Sequence, residues 1–169
     1  KAINSFKPDI IRGYTGSLYE LCRYVTYNNI TMHKPRIIVS CAETITTEMR
    51  SLIESTLHSK VYNFYGSRET NNLAGECSAG LLHVLEMHNY IELLDGDYNQ
   101  VKEGELGKVI VTNLHNYSMP FIRYDIGDIA RLGPQQCNCG NPLTSMSEVT
   151  GRLIEHFRLL DGRQVPGEY

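Results

Sequence analysis

The hexapeptide YGSRET, Tyr65 to Thr70, places a hydroxyl, a guanidinium and a carboxylate on three consecutive residues directly after a Tyr-Gly break. Gly66 permits a sharp turn or the close approach of a ligand, Ser67 and Arg68 can donate to phosphate oxygens, and Glu69 can hold a hard cation such as Mg²⁺. The same residues would also serve as a plain glycine turn with a surface Arg–Glu pair. A second group, PFIRYDIGD from Pro120 to Asp128, reads as a strand followed by a tight Asp-Ile-Gly-Asp turn. A carboxylate beyond a strand end can take two sugar hydroxyls, as a ribose-binding acid does; alternatively, the aspartates of a hairpin turn bond their own backbone. The third group is CNCG, Cys137 to Gly140, taken with Cys77 and His83. Three thiolates and an imidazole are the inventory of a closed structural Zn²⁺ site, while buried free cysteines and a surface histidine are the plainer account.

The elements that must position these groups follow from periodicity. Leu18, Leu21, Cys22 and Val25 recur at helical spacing between Gly16 and about Asn28, with Thr15 or Ser17 as cap. RIIVS, Arg36 to Ser40, is a β-branched run after Pro35, as a buried strand would be. Met49, Leu52, Ile53 and Leu57 mark a second helix, with Thr46 as N-cap and Glu48 in its first turn. VYNF, Val61 to Phe64, is the next strand, so the unit reads as a parallel βαβ crossover. SCAET, Ser40 to Thr44, and YGSRET then leave the C-terminal ends of neighbouring parallel strands, the edge where open α/β sheets bind ligands.

After Gly75 the texture changes. GLLHVLEM, YIELLD, GKVIVTN, PFIRY and DIARL are short strand-like runs between Gly, Asp, Asn and Pro signals, as in a meander or small barrel. A hairpin through Asp161-Gly162 is expected near the end. The expected organisation is an α/β portion over residues 1–75, an antiparallel portion over 76–150, and a closing stretch over 151–169.

A formal net charge of −3 lacks the basic footprint of a nucleic-acid binder, and no apolar run approaches a membrane span. Five scattered cysteines do not form a secreted disulfide framework. A soluble, cytoplasmic protein is the default expectation. The chain starts at Lys1 and ends at DGRQVPGEY, where a strand is beginning, as an excised piece of a longer protein would.

The order of the pieces narrows the reading. CAE after a strand, a helix, YGSRE, antiparallel strands with GELG, then IRY-x-x-GD, and finally GR closely resemble the adenylate-forming ligase superfamily, in the branch of phenylacetate–CoA ligase and the CapK-type capsular polysaccharide proteins. The resemblance implies the α/β large domain of that fold with its antiparallel, barrel-like part, and a hinge near residue 151 before a small C-terminal domain. It implies ATP and Mg²⁺ chemistry that converts a small carboxylate to an acyl-adenylate, with coenzyme A as the acceptor in the full-length protein. By position, Glu69 matches the Mg²⁺-binding glutamate, and Tyr65 and Gly66 frame the adenine and acyl pocket. Ala42 and Glu43 match the loop along the adenine, Asp128 the ribose aspartate, and Arg152 the arginine near the hinge. Ser67 and Arg68 fall where the α-phosphate is contacted. The resemblance also favours a structural zinc site on Cys77, His83, Cys137 and Cys139.

The departures support a rival. Arg68 stands where most members have Ser or Thr, Asp125 replaces an arginine, and Leu153, Ile154 and Glu155 stand where a hinge aspartate is common. The phosphate loop and the catalytic lysine of the family fall outside this stretch, so the segment alone is expected to be inactive. GYTGS, Gly13 to Ser17, reads as a helix cap and has no lysine. The alternative is a non-catalytic nucleotide- or partner-binding module on the same scaffold. Neither reading names the carboxylate or the oligomeric state.

Overall fold

The computed structural model describes residues 1–152, 156–158 and 164–166. Its first part runs α1 (Ala2–Phe6), β1 (Ile10–Tyr14), α2 (Thr15–Tyr27), β2 (Ile37–Cys41), α3 (Thr47–Leu57) and β3 (Val61–Ser67). β1, β2 and β3 are parallel neighbours, with Ile11 opposite Ile38 and Ile38 opposite Val61. Leu18 and Cys22 of α2, Ile38 of β2, Ile53 and Leu57 of α3, and Val61 of β3 form one buried cluster. The helical spacing read from these residues is therefore the spacing of the core face.

β1 is a third parallel strand that the sequence pattern hid. Its burial alternates between exposed and half-buried, so IIRGY carries none of the continuous apolar signal of a central strand. The α3 cap is as expected, the Thr46 hydroxyl accepting from Met49 N at 3.2 Å. The α2 cap is not. Thr15 lies inside the helix and donates its hydroxyl to Glu43 O at 3.1 Å, and neither Thr15 nor Ser17 caps the first turn.

The second part comprises β4 (Asn71–Glu76), β5 (Leu82–Val84), β6 (Asn89–Leu94), β7 (Leu106–Asn113), β8 (Tyr124–Leu132) and β9 (Ser145–Arg152). One nine-stranded sheet runs β1-β2-β3-β4-β5-β9-β8-β7-β6, parallel through β3 and antiparallel thereafter. Strands β4 to β9 all contribute to one buried cluster that includes Leu73, Val84, Leu93, Val109, Ile126, Ala130 and Met146. A sheet that buries one face against itself must curl, and this gives the expected barrel-like character.

PFIRY and DIARL are not two strands around a turn. Residues 121–123 lie outside regular structure, and Asp125-Ile126-Gly127-Asp128 lies inside β8. Ile110 pairs with Asp125 and Lys108 with Ile129, so β8 accommodates extra residues in a bulge, with Gly127 at φ 81°. The Gly and two Asp that suggested a hairpin serve that bulge: Asp125 Oδ1 accepts from Gly127 N at 2.9 Å. Finally, β10 (His156–Arg158) pairs antiparallel with β11 (Gln164–Pro166), while the Asp161-Gly162 turn and the hinge positions 153–155 lie outside the described residues.

Candidate functional site

A cleft of about 500 Å³ opens where the loop after β2, the end of β3 and the bulge of β8 come together, lined by Ala42, Glu43, Thr44, Tyr65, Gly66 and Asp128 among others. The curl of the sheet returns β8 to β3, so the Tyr65 hydroxyl donates to Asp128 Oδ2 at 2.6 Å. Asp128 is only 8% exposed. A carboxylate so enclosed and still facing a cleft is prepared to accept hydrogen bonds in place of water.

Gly66 is fixed by its surroundings. The β3–β4 register shifts between Tyr65 and Gly66, and a Cβ at Gly66 would lie 2.3 Å from the Asn71 carbonyl oxygen. The remainder of YGSRET is the tip of the β3–β4 hairpin. Ser67 Oγ lies 2.9 Å from Thr70 Oγ1 and accepts from Thr70 N at 3.2 Å, while Arg68 and Glu69 are exposed between them. Tyr65 and Gly66 thus line the cleft, while Ser67 to Thr70 form the polar turn that follows them. A single exposed carboxylate such as Glu69 suits Mg²⁺, which is commonly held by one or two carboxylates together with substrate phosphates. In the β8–β9 register the Cα of Arg152 lies opposite that of Asp128. Asp125 faces outward, with its Oδ2 3.8 Å from Lys108 Nζ.

One pair in the cleft wall was not anticipated. Arg50 of α3 donates to both Glu76 oxygens at 3.0 and 2.9 Å and to Val61 O at 2.6 Å, and Glu76 Oε2 also accepts from Asn63 N at 2.6 Å. No local signal pointed to it, because Arg50 and its partner Glu76 are 26 residues apart in sequence.

Directly after Glu76 comes the thiol cluster. One ligand atom from each of Cys77, His83, Cys137 and Cys139 lies within 4.8 Å of all the others. A tetrahedron of Zn–S and Zn–N bonds puts ligand atoms about 3.3–3.8 Å apart. Cys77 Sγ and Cys137 Sγ are 3.7 Å apart, and Cys139 Sγ and His83 Nε2 are 3.4 Å apart, so the donor set fits a closed Zn²⁺ site. His83 is buried rather than on the surface, and its Nδ1 lies 2.9 Å from Leu143 O. A proton on Nδ1 leaves Nε2 as the lone-pair donor facing the thiols. Desolvation opposes ionisation of Cys77, but backbone N–H donors at Leu81 and Ala79 and the thiols of Cys139 and Cys137 outweigh it, lowering Cys77 from 9.0 to about 7. A thiolate is then available near neutrality, as metal binding requires. All five cysteines are free thiols.

The chain is similar to known proteins over most of its own length. The chain is 31% identical over 142 residues to Protein CapK of Staphylococcus aureus, covering 78% of this chain and 28% of the relative. It is 30% identical over 157 residues to phenylacetate-coenzyme A ligase of Pseudomonas putida, covering 89% and 35%. Among solved structures, a 2-hydroxyisobutyryl-CoA ligase in complex with 2-HIB-AMP matches with a TM-score of 0.85 at 18% identity, over 98% of this chain and 37% of that one. The chain has the fold of the adenylate-forming ligases. Its sequence relatives include CapK and phenylacetate–coenzyme A ligase proteins, to which it is similar at 31% and 30% identity. It spans about a third of the length of the curated relatives it matches. No family model matches the chain. Among the described residues, no helix is long and apolar enough to cross a membrane.

Proposed function

We propose that this chain carries the nucleotide-binding face of an AMP-forming acid–CoA ligase. The observation that carries the reading is the convergence of Ala42 and Glu43, Tyr65 and Gly66, and Asp128 on one cleft from three separated stretches of chain. In the proposed reaction a carboxylate oxygen attacks the α-phosphorus of ATP and pyrophosphate leaves. A thiol, that of coenzyme A in this reading, then attacks the acyl carbonyl and AMP leaves.

Asp128 would accept the ribose hydroxyls, exchanging the Tyr65 hydroxyl for them, and the loop of Ala42 and Glu43 would flank the base. Ser67 and Arg68 would donate to phosphate oxygens, Arg68 with longer reach than a hydroxyl. Glu69 would hold Mg²⁺, which supplies charge neutralisation to the phosphates when bound. Arg152 would stand beside the ribose end, with residues 151–169 forming the hinge and the start of the small domain. Residues 1–75 would be the nucleotide-binding portion and 76–150 the antiparallel portion, tied at its base by zinc on Cys77, His83, Cys137 and Cys139. A cytoplasmic setting, where such thiols stay reduced, goes with this reading.

The second reading, a non-catalytic nucleotide- or partner-binding module, draws on the CapK relative and on Arg68 at the exposed hairpin tip. Calorimetric titration of the chain with AMP, using D128A as control, tests the nucleotide face. Carboxylate-dependent ATP–pyrophosphate exchange, in a protein carrying this segment within a ligase of the relatives' full length, separates the readings. Loss of exchange in E69A and D128A supports the ligase; unchanged exchange in both variants removes the site assignment.

A further inference from the structure

Helix α2 has no cap of its own. Its N-cap residue is Tyr14, which makes no side-chain hydrogen bond to the first turn, and that turn contains no acidic residue. The missing acceptor comes from the loop after β2: Glu43 Oε2 accepts from Gly16 N at 2.7 Å. The tie is reciprocal, because the fully buried Thr15 donates its hydroxyl to Glu43 O at 3.1 Å. Cys41, on the other side of Ala42, donates its thiol to Gly13 O at 3.4 Å. With a longer contact from the Thr15 hydroxyl to Cys41 O at 3.5 Å, four bonds fasten Cys41 and Glu43 to residues 13–16.

Between these anchors Ala42 sits at φ 72°, a left-handed conformation that an alanine adopts only when its surroundings impose it. Gly16 belongs to the same arrangement, since a Cβ there would lie 2.9 Å from Glu43 Oε2. Ala42, Glu43 and Thr44 line the same cleft as Tyr65 and Asp128.

We infer that Glu43 is a positioning residue for base recognition: its carboxylate is committed to the first turn of α2, and by holding Ala42 in the left-handed kink it sets the peptide groups that face the purine. This rests on the nucleotide reading of the cleft. It also means that the N-terminus of α2 is already occupied by an internal carboxylate and is closed to a ligand phosphate. Fixed peptide donors and acceptors distinguish the edge of adenine from that of guanine, whereas a loosened loop does not.

The test titrates the chain with AMP and with GMP for the wild type, E43A, E43Q and G16A, with far-UV circular dichroism as a folding check and amide exchange at residue 16 as a reporter of the tie. The expected result is a loss of AMP affinity of about tenfold in E43A with the AMP/GMP preference collapsing towards unity, and recovery of most of the preference in E43Q, whose amide oxygen can still accept. G16A, which displaces the carboxylate without removing it, is expected to lower the preference as well and keeps the test available if E43A does not fold. Faster exchange at Gly16 with an unchanged AMP/GMP ratio in E43A would make Glu43 a helix cap alone and overturn the inference while leaving the cleft reading intact. A wild-type chain that binds neither nucleotide overturns the cleft reading itself, and this inference with it.

Discussion

The Tyr65 hydroxyl donates to Asp128 Oδ2 at 2.6 Å across 63 residues of sequence, joining the last parallel strand to the bulge of β8. A hydrogen bond to a charged group contributes about 1.5–3 kcal/mol, and Asp128 is nearly buried. Y65F should lower the unfolding free energy by about that amount, read from urea denaturation. Under the nucleotide reading, AMP binding should weaken far less in Y65F than in D128A, because Asp128 would remain to take the ribose. Equal losses in the two variants would mean that Asp128 acts only through its contact with Tyr65.

Gly66 and Gly80 both line the cleft but are glycine for different reasons. A methyl at Gly66 meets the Asn71 carbonyl, which is backbone and cannot yield without breaking the hairpin. At Gly80 there is open space, and only φ 82° disfavours a side chain. G66A should therefore cost at least about 2 kcal/mol, and G80A about 1–2 kcal/mol. Urea midpoints of the two variants check the order; equal midpoints would contradict the contact at Asn71.

What the sequence showed and what it hid follow from how far each signal reaches. Helices α2 and α3 and strands β2, β3, β5, β6 and β7 carry their core faces as local periodicity, and the local cap Thr46 behaves as such. β1 and β4 were invisible because β1 has no buried residue and β4 buries only the adjacent pair Leu73 and Ala74 between polar residues and glycine, so that their strand character comes from their neighbours. The α2 cap failed because the acceptor, Glu43, is supplied from 27 residues away. The DIGD turn failed because Gly and Asp mark a sharp local backbone without saying whether it reverses the chain or bulges within a strand. Tyr65, Gly66, Asp128 and the four metal-type ligands were legible as residue types, but their convergence depends on the curl of the sheet.

The Arg50–Glu76 pair invites a double-mutant cycle. Glu76 is 11% exposed and receives hydrogen bonds from Arg50 and from Asn63 N, so R50M leaves a carboxylate enclosed beside the cleft without its main partner. Breaking such a pair from one side costs about 3–5 kcal/mol when fully buried, and about 2–3 kcal/mol is expected here because Arg50 is 29% exposed. R50M/E76Q should recover part of that loss, since no charge is then left stranded. Additive losses across the cycle would show that the pair is not coupled.

Cys22 offers a pH test of the first core. It is fully buried, and desolvation outweighs a hydrogen bond with Thr56 to push its thiol from 9.0 up to about 11. A raised folded-state value stabilises the fold in full below about pH 9 and is lost as pH rises towards 11. C22A should abolish that alkaline component of the stability profile, although it also leaves a small cavity that lowers the whole curve. A wild-type profile that stays flat from pH 9 to 11 would contradict the burial of the thiol.

The thiol cluster makes the most direct chemical prediction, because the three cysteines and His83 report on one another. With Zn²⁺ bound, Cys77, Cys137 and Cys139 should resist alkylation at pH 7.5, and elemental analysis should find one metal per chain. After treatment with a strong chelator Cys77 should react first, its thiol lying at about 7, while Cys22 stays inert until the fold opens. Structural zinc contributes on the order of 10 kcal/mol to small domains, so chelation should lower the melting temperature by at least about 10 °C. The turn of residues 77–81 connects two residues of the cleft wall, Glu76 and Leu82, so under the nucleotide reading AMP affinity should fall together with the metal although no ligand of the cluster lines the cleft. Full alkylation in the presence of zinc, or a melting temperature indifferent to chelation, would reduce the cluster to four neighbouring side chains without a metal.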